Sequence, residues 1–253
     1  MERIRKPFQG VWNIVRFNWH FYVIAVFIIC VLVLTGFLIG NNCLNPFSVV
    51  AFGIFIPTMI SLIVSWYVYD YSDLYSLNWL NEFDLNPAVM ININAGFDEF
   101  SLMLQHKFKD ARLEVFDFYA ALPQKEISIT RAQKVYPACV STKQISLIEI
   151  PIEVKVVDVV CLFLAAHEIR NEKDRVCFFK ELNRSLNADG KIVVIEHLRN
   201  GYNFLAYTIG FLHFLPLGKW LKTFSDAGLK VISETKITPF INLFILQKDG
   251  NSF

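Results

Sequence analysis

Two pairs of adjacent ionisable residues could do proton chemistry in this chain: His167-Glu168 and Glu196-His197. Histidine gains and loses a proton near neutral pH, so an imidazole beside a carboxylate suits a general base acting on a hydroxyl nucleophile. Both pairs follow short apolar runs, which places them at strand ends. His197 is favoured as the base because Arg199, Asn200 and an aromatic stretch follow it directly, with His167 and Glu168 as the other catalytic candidates. The competing reading is that the pairs cap loops or pair with Arg170 and Arg199. His213 reads as a helix-face residue.

An earlier apolar run ends in Asn92-Ile93-Asn94-Ala95-Gly96-Phe97-Asp98, and the next ends at Asp117. A glycine after one strand lets backbone approach a ligand. A carboxylate ending the following strand can accept from both hydroxyls of a ribose, so the pair suits an adenosine ligand. No metal is expected, because the His and Glu residues show no HExxH-type helical spacing and the five cysteines form no CxxC pair.

Strands are expected at 88–94, 112–117, 144–150, 156–164, 191–197, 229–238 and 241–248. Helices fit between them at 99–108, 129–135 and 172–186, the last with Asn171 as N-cap and an apolar stripe of Val176, Phe179, Leu182 and Leu186. A helical stretch over 203–227, broken at Pro216, precedes the last two strands. The alternation predicts an α/β, doubly wound and mostly parallel sheet of seven strands. Only Pro239 and Phe240 separate the final two strands, so they form a tight C-terminal antiparallel hairpin. In such sheets ligands bind beyond the C-terminal strand ends, where strand order reverses.

Residues 70–250 resemble the class I S-adenosylmethionine-dependent methyltransferases of the small-molecule type. The resemblance rests on Pro151-Ile152 followed by Val157-Asp158-Val159-Val160, on the passage FFKELNRSLNADGKIVVIEH, and on the closing strand pair. It implies S-adenosylmethionine as cofactor, with Gly96 and Asp117 as the main contacts and Asn94 and Asp98 as weaker ones. The family's acidic-x-Gly-x-Gly-x-Gly motif reads here as Asn92, Asn94, Gly96 and Asp98, so only the middle glycine is kept. The alternative is a methyltransferase fold that has become a non-catalytic scaffold or partner-binding module.

The N-terminal third is a different material. Of 253 residues 54% are hydrophobic and only 19% charged, and from Phe17 to Tyr69 there is no Asp, Glu, Lys or Arg. Crossing a hydrocarbon core takes about 20 apolar residues, so two transmembrane helices are expected, near 19–39 and 47–67, joined by a turn around residues 40–46. Residues 1–69 then form an anchor and 70–253 a methyltransferase-like cytoplasmic domain. Arg3, Arg5, Lys6 and Arg16 precede the first span while the connecting turn has no basic residue, which puts both termini in the cytoplasm. A bacterial inner membrane is expected. The lipid bilayer is one expected partner, and a lipophilic small molecule, phenolic or quinone-like, is the expected substrate. Residues 202–215, rich in Tyr and Phe, could form a lid over it that also touches the bilayer. No basic stripe with interleaved aromatics is present, so nucleic acid is not expected.

Overall fold

The computed structural model of the chain describes residues 5–39 and 45–250. Arg3 and the turn residues 40–44 lie outside the described residues. The chain opens with a short amphipathic helix, α1 (Gln9–Phe17), and two 21-residue apolar helices, α2 (Trp19–Ile39) and α3 (Pro46–Trp66). Both long helices are apolar enough to cross a membrane by length and composition, and most of their side chains are exposed. Asn45 caps α3 by accepting from Ser48 N at 2.9 Å, and its amide donates to Gly36 O at 3.2 Å, which ties the two helices together. Pro57 sits inside α3 without ending it.

Past α3 the chain makes a π turn (Tyr67–Tyr71) and two 3-10 turns (Asp73–Ser76, Asn78–Phe83) before the sheet begins. The strands are β1 (Val89–Asn94), β2 (Arg112–Asp117), β3 (Lys143–Gln144), β4 (Val157–Phe163), β5 (Leu186–His197), β6 (Leu229–Thr238) and β7 (Ile241–Lys248). Their order is β3-β2-β1-β4-β5-β7-β6, with β7 antiparallel to both its neighbours and the pairs from β3 to β5 parallel. The expected sheet and closing hairpin are therefore present. Strand order reverses between β1 and β4.

Alternation along each strand builds two cores. Ile91, Ile93, Val160, Leu162, Ile192 and Val194 face one side, against α6 (Glu172–Ser185) and α8 (Leu217–Asp226). Met90, Val159, Cys161, Val193 and Ile195 face the other, covered by α4 (Ser101–Lys107) and by Val68, Leu74, Leu77 and Leu80. The turns that follow α3 thus help to cover one of the two cores, and Val68 packs there with residues of the sheet.

Three elements differ from expectation. The third strand is two residues long rather than 144–150: Ile145 N still donates to Asp117 O at 3.0 Å, but beyond it Ser146 and Glu149 close a turn on each other, and Ile145, Leu147 and Ile150 are buried. β5 starts at Leu186, which pairs with Val157; the register then shifts so that Lys191 meets Val159, leaving Asp189-Gly190 inside a bulged strand. The stretch 203–227 divides into α7 (Gly201–Tyr207), a 3-10 turn (Thr208–His213) and α8. In α6, Asn171 caps as expected, but the buried face carries Arg175, whose guanidinium donates to Ile169 O at 2.9 Å.

Candidate functional site

A cavity of about 500 Å³ lies over the C-terminal ends of β1, β4 and β5. Ala95, Phe163 and His197 form its floor. Asn13 and Phe17 of α1, with Phe21 and Tyr22 at the foot of α2, form its roof. The roof is fastened from the other side of the apolar hairpin: Asp70 accepts from Gly10 N at 2.7 Å and Val11 N at 2.8 Å, so a carboxylate caps the start of α1 from 60 residues away.

The polar end of the cavity is built where β4 stops. Leu164 takes a left-handed φ of 54°, and the chain folds back into a 3-10 turn, Ala166–Glu168, that brings His167 and Glu168 to the cavity wall. Glu196, fully buried in β5, lies 2.7 Å from His167 Nδ1 and accepts from His167 N at 3.1 Å. With Nδ1–H given to Glu196, the Nε2 of His167 faces Glu168 Oε1 at 3.3 Å. His213 arrives from the turn after α7, its Nε2 also 3.3 Å from Glu168 Oε1 and its Nδ1 3.3 Å from Glu126 Oε1. Burial disfavours a charged His167 ring, yet Glu196 and Glu168 outweigh it and push its pKa up to about 10. Burial likewise opposes the Glu168 charge, and the two imidazoles outweigh it, holding that carboxyl well below the usual range.

His197 is placed differently. Its Nδ1 lies 3.0 Å from Phe240 O and 3.2 Å from Asn203 Oδ1, both acceptors, so Nδ1 carries the proton and Nε2 accepts from Tyr69 Oη at 2.8 Å. Both nitrogens are occupied and the ring stacks on Phe214, which pins the segment after α3 to the sheet. Burial, with positive charge at His167 and His213, lowers its pKa to about 4 against the hydrogen bonds it donates to Asn203 and Phe240. Tyr69, Tyr207, Phe214 and Asn203 are the other groups packed on the ring.

A depressed imidazole pKa means the unfolded chain binds the extra proton first. Stability contributed at pH 7 is therefore lost as pH falls from about 6.5 toward 4, by about 3 kcal/mol in all. In denaturant unfolding of the purified protein, the gap between wild type and His197→Gln should narrow by about that amount between pH 7 and pH 4. A constant gap would rule out the neutral, buried ring.

The expected adenosine contacts sit beside the cavity, not in it. Gly96 has φ +86° and donates its N–H to Asn94 Oδ1 at 3.0 Å, and the Asn94 amide donates to Phe116 O. Asp98 accepts from the N–H groups of Phe100 and Ser101 at the start of α4. Asp117, 3% exposed, accepts from Tyr119 N and from Gln144 Nε2. The open side of Gly96 is covered: a Cβ there would stand within 2.9 Å of Tyr119, of Ile129 and of Gln133, the last two on α5 (Ile127–Val135). Sequence reasoning had no signal for Glu126, Tyr69 or the α1 roof, which come from elements far apart in the chain.

No protein-family model and no curated protein matches the chain. Solved structures do. A SAM-dependent methyltransferase from Aquifex aeolicus aligns at a TM-score of 0.50 with 15% identity, over 75% of this chain and 97% of that one. The pyocyanin biosynthetic protein PhzM aligns at a TM-score of 0.51 with 13% identity, over 78% of this chain and 58% of that one. The fold is that of the class I methyltransferases. A third match with this fold, at a TM-score of 0.48 and 13% identity over 79% of this chain and 58% of the other, is the O-methyltransferase NcsB1 of neocarzinostatin biosynthesis, solved in complex with S-adenosylmethionine and 2-hydroxy-5-methyl naphthoic acid. In open α/β sheets ligands bind in the crevice beyond the C-terminal strand ends where strand order reverses, and the cavity described above lies there.

Proposed function

We propose that this protein is a membrane-held S-adenosylmethionine-dependent methyltransferase acting on a lipophilic acceptor, a phenolic or quinone-like ring bearing a hydroxyl. The observation that carries the reading is the position of the cavity, between the functional rim of the sheet and the foot of two apolar helices. An acceptor dissolved in a bilayer would meet Phe17, Phe21 and Tyr22 first and the His167–Glu168–His213 cluster last, which orients it ring outward and hydroxyl inward. Holding the enzyme at the surface raises the effective concentration of such an acceptor. We read the helices as two spans with both termini cytoplasmic, in a bacterial inner membrane.

Gly96 and Asp117 fit the adenosine half of the cofactor in kind, a left-handed glycine and a carboxylate ending β2, and Asn94 and Asp98 border its amino-acid half. When bound, S-adenosylmethionine supplies a methyl group on a sulfonium for in-line displacement. The space beside Gly96 is closed by Tyr119, Ile129 and Gln133. Only Ala132 of α5 is buried, and Arg131 ties the helix to Phe17 O at 2.7 Å; with so little of it in the core, α5 is the element expected to give way.

Calorimetric titration of the full chain in detergent tests this. Wild type should bind S-adenosylmethionine weakly, and Ile129→Ala with Gln133→Ala should bind it about tenfold more tightly, by the removal of groups that must move. Cells lacking the protein should accumulate an undermethylated, membrane-extractable compound. The covered face of Gly96 also favours a second reading, a non-catalytic module that holds a lipophile. No cofactor binding by either form would leave that second reading standing and sink the first.

A further inference from the structure

We propose that His167, Glu168 and His213 bind a divalent transition-metal ion of the zinc type at the polar end of the cavity. Ion binding does not depend on the methyl-transfer reading.

The warrant is geometric. One atom from each of the three residues lies within 4.8 Å of the others. Two of the separations, His167 Nε2 to Glu168 Oε1 and His213 Nε2 to Glu168 Oε1, are 3.3 Å. Ligands bound at about 2.0–2.1 Å around a tetrahedral ion lie about 3.3–3.4 Å apart, so both edges already have the length an ion requires. Two imidazoles and one carboxylate are a donor set that zinc and ferrous iron accept.

The surroundings of the rings carry the argument further. A metal-binding histidine usually gives its other nitrogen to a carboxylate, which fixes the ring and aims its free lone pair at the ion. His167 has that support, with Glu196 on its Nδ1 at 2.7 Å; at His213, Glu126 lies 3.3 Å from Nδ1 as an ion pair, and Arg170 Nη2 is against the same ring. Glu196 comes from β5 and Glu126 from the residue before α5, and the Nε2 atoms of both rings lie 3.3 Å from the same oxygen of Glu168. Three protein ligands leave a coordination position facing the cavity. There the ion would take the hydroxyl oxygen of an acceptor as an oxyanion, with the proton released to water; this use of the ion does rest on the methyl-transfer reading.

HExxH-type spacing gave no sign of the site because its ligands come from two separate turns, 45 residues apart, rather than one helix. One group opposes it. Arg170 reaches in from the surface, its Nη2 3.2 Å from Glu126, 3.9 Å from Glu168 and against the His213 ring. A guanidinium and a metal compete for the same carboxylates; Arg170 is 41% exposed but is also held by its Nη1, which donates to His213 O at 3.1 Å, so it must leave that bond for an ion to enter.

The test is titration of the purified, tag-free full chain, stripped with chelator, with cobalt(II) read by its visible d–d bands and by displacement with zinc. One equivalent should bind. His213→Ala, at a half-buried position, should weaken binding at least tenfold, and His106→Ala, remote on α4, should leave it unchanged. Arg170→Gln should tighten binding severalfold, the reverse of what a simple ion-pair network would give. Absence of binding, or binding that His213→Ala leaves intact, overturns the proposal. Because no methyl donor is present, its failure is separate from failure of the methyl-transfer reading.

Discussion

Glu196→Gln should abolish most of the proposed methyl-transfer activity while leaving the fold in place. Glutamine keeps an oxygen to accept from His167 N, but toward Nδ1 it can offer only an N–H. The ring must then accept at Nδ1 and carry its proton on Nε2, pointing at Glu168. To act as a ligand or base the ring must give up its Nε2 proton and keep the one on Nδ1, and the glutamine reverses that choice. A loss of about 10²–10⁴ in kcat follows where a buried carboxylate sets a catalytic tautomer, and a loss of about 10–100-fold in metal affinity where it supports a ligand. Imidazole nitrogen shifts in NMR spectra would show the change of tautomer, and cobalt titration the change in affinity. A variant ring that keeps its Nδ1 proton would refute the role given to Glu196. Glu196→Ala is the harsher change: it strips the partner from a fully buried position, and breaking a buried pair costs about 3–5 kcal/mol.

Gly96→Ala should destabilise the domain by about 2–5 kcal/mol. At φ +86° an L side chain costs about 1–2 kcal/mol, and overpacking against a filled site adds about 1–3 kcal/mol. The added methyl would meet Tyr119 Cγ at 2.8 Å and Ile129 Cγ2 at 2.9 Å, neither of them the free end of a flexible chain; only the third contact, Gln133 Nε2 at 2.8 Å, can swing away. Adding Gln133→Ala to Gly96→Ala should therefore recover less than half of the loss. Urea unfolding in detergent measures both. Against a total stability of about 5–15 kcal/mol the single change is a large fraction, and full recovery by Gln133→Ala would mean that the backbone angle is not the constraint.

The cofactor candidates separate by how local their signals are. Gly96 and Asp117 were legible because a turn after one strand and a carboxylate ending the next are fixed by position along the chain. Whether the space between them is open is decided by Ile129 and Gln133, one helix away, and no spacing rule reports that. His167-Glu168 and Glu196-His197 were legible as pairs at strand ends. Their division of labour was not, because burial and partners set it: His197 is consumed by Tyr69, Asn203 and Phe240, while His167 takes Glu196 and turns toward the cavity.

By itself the sequence determined the uncharged stretch from Phe17 to Tyr69, the alternation that builds a parallel sheet, and the two-residue connection that closes it antiparallel. These are period and composition effects, each contained within a few neighbouring residues. Tertiary structure decided the rest: the capture of α1 by Asp70, the cover over Gly96, and the meeting of His167, Glu168 and His213. Each joins groups from separate elements, and only the packing of those elements against one sheet sets the distance between them.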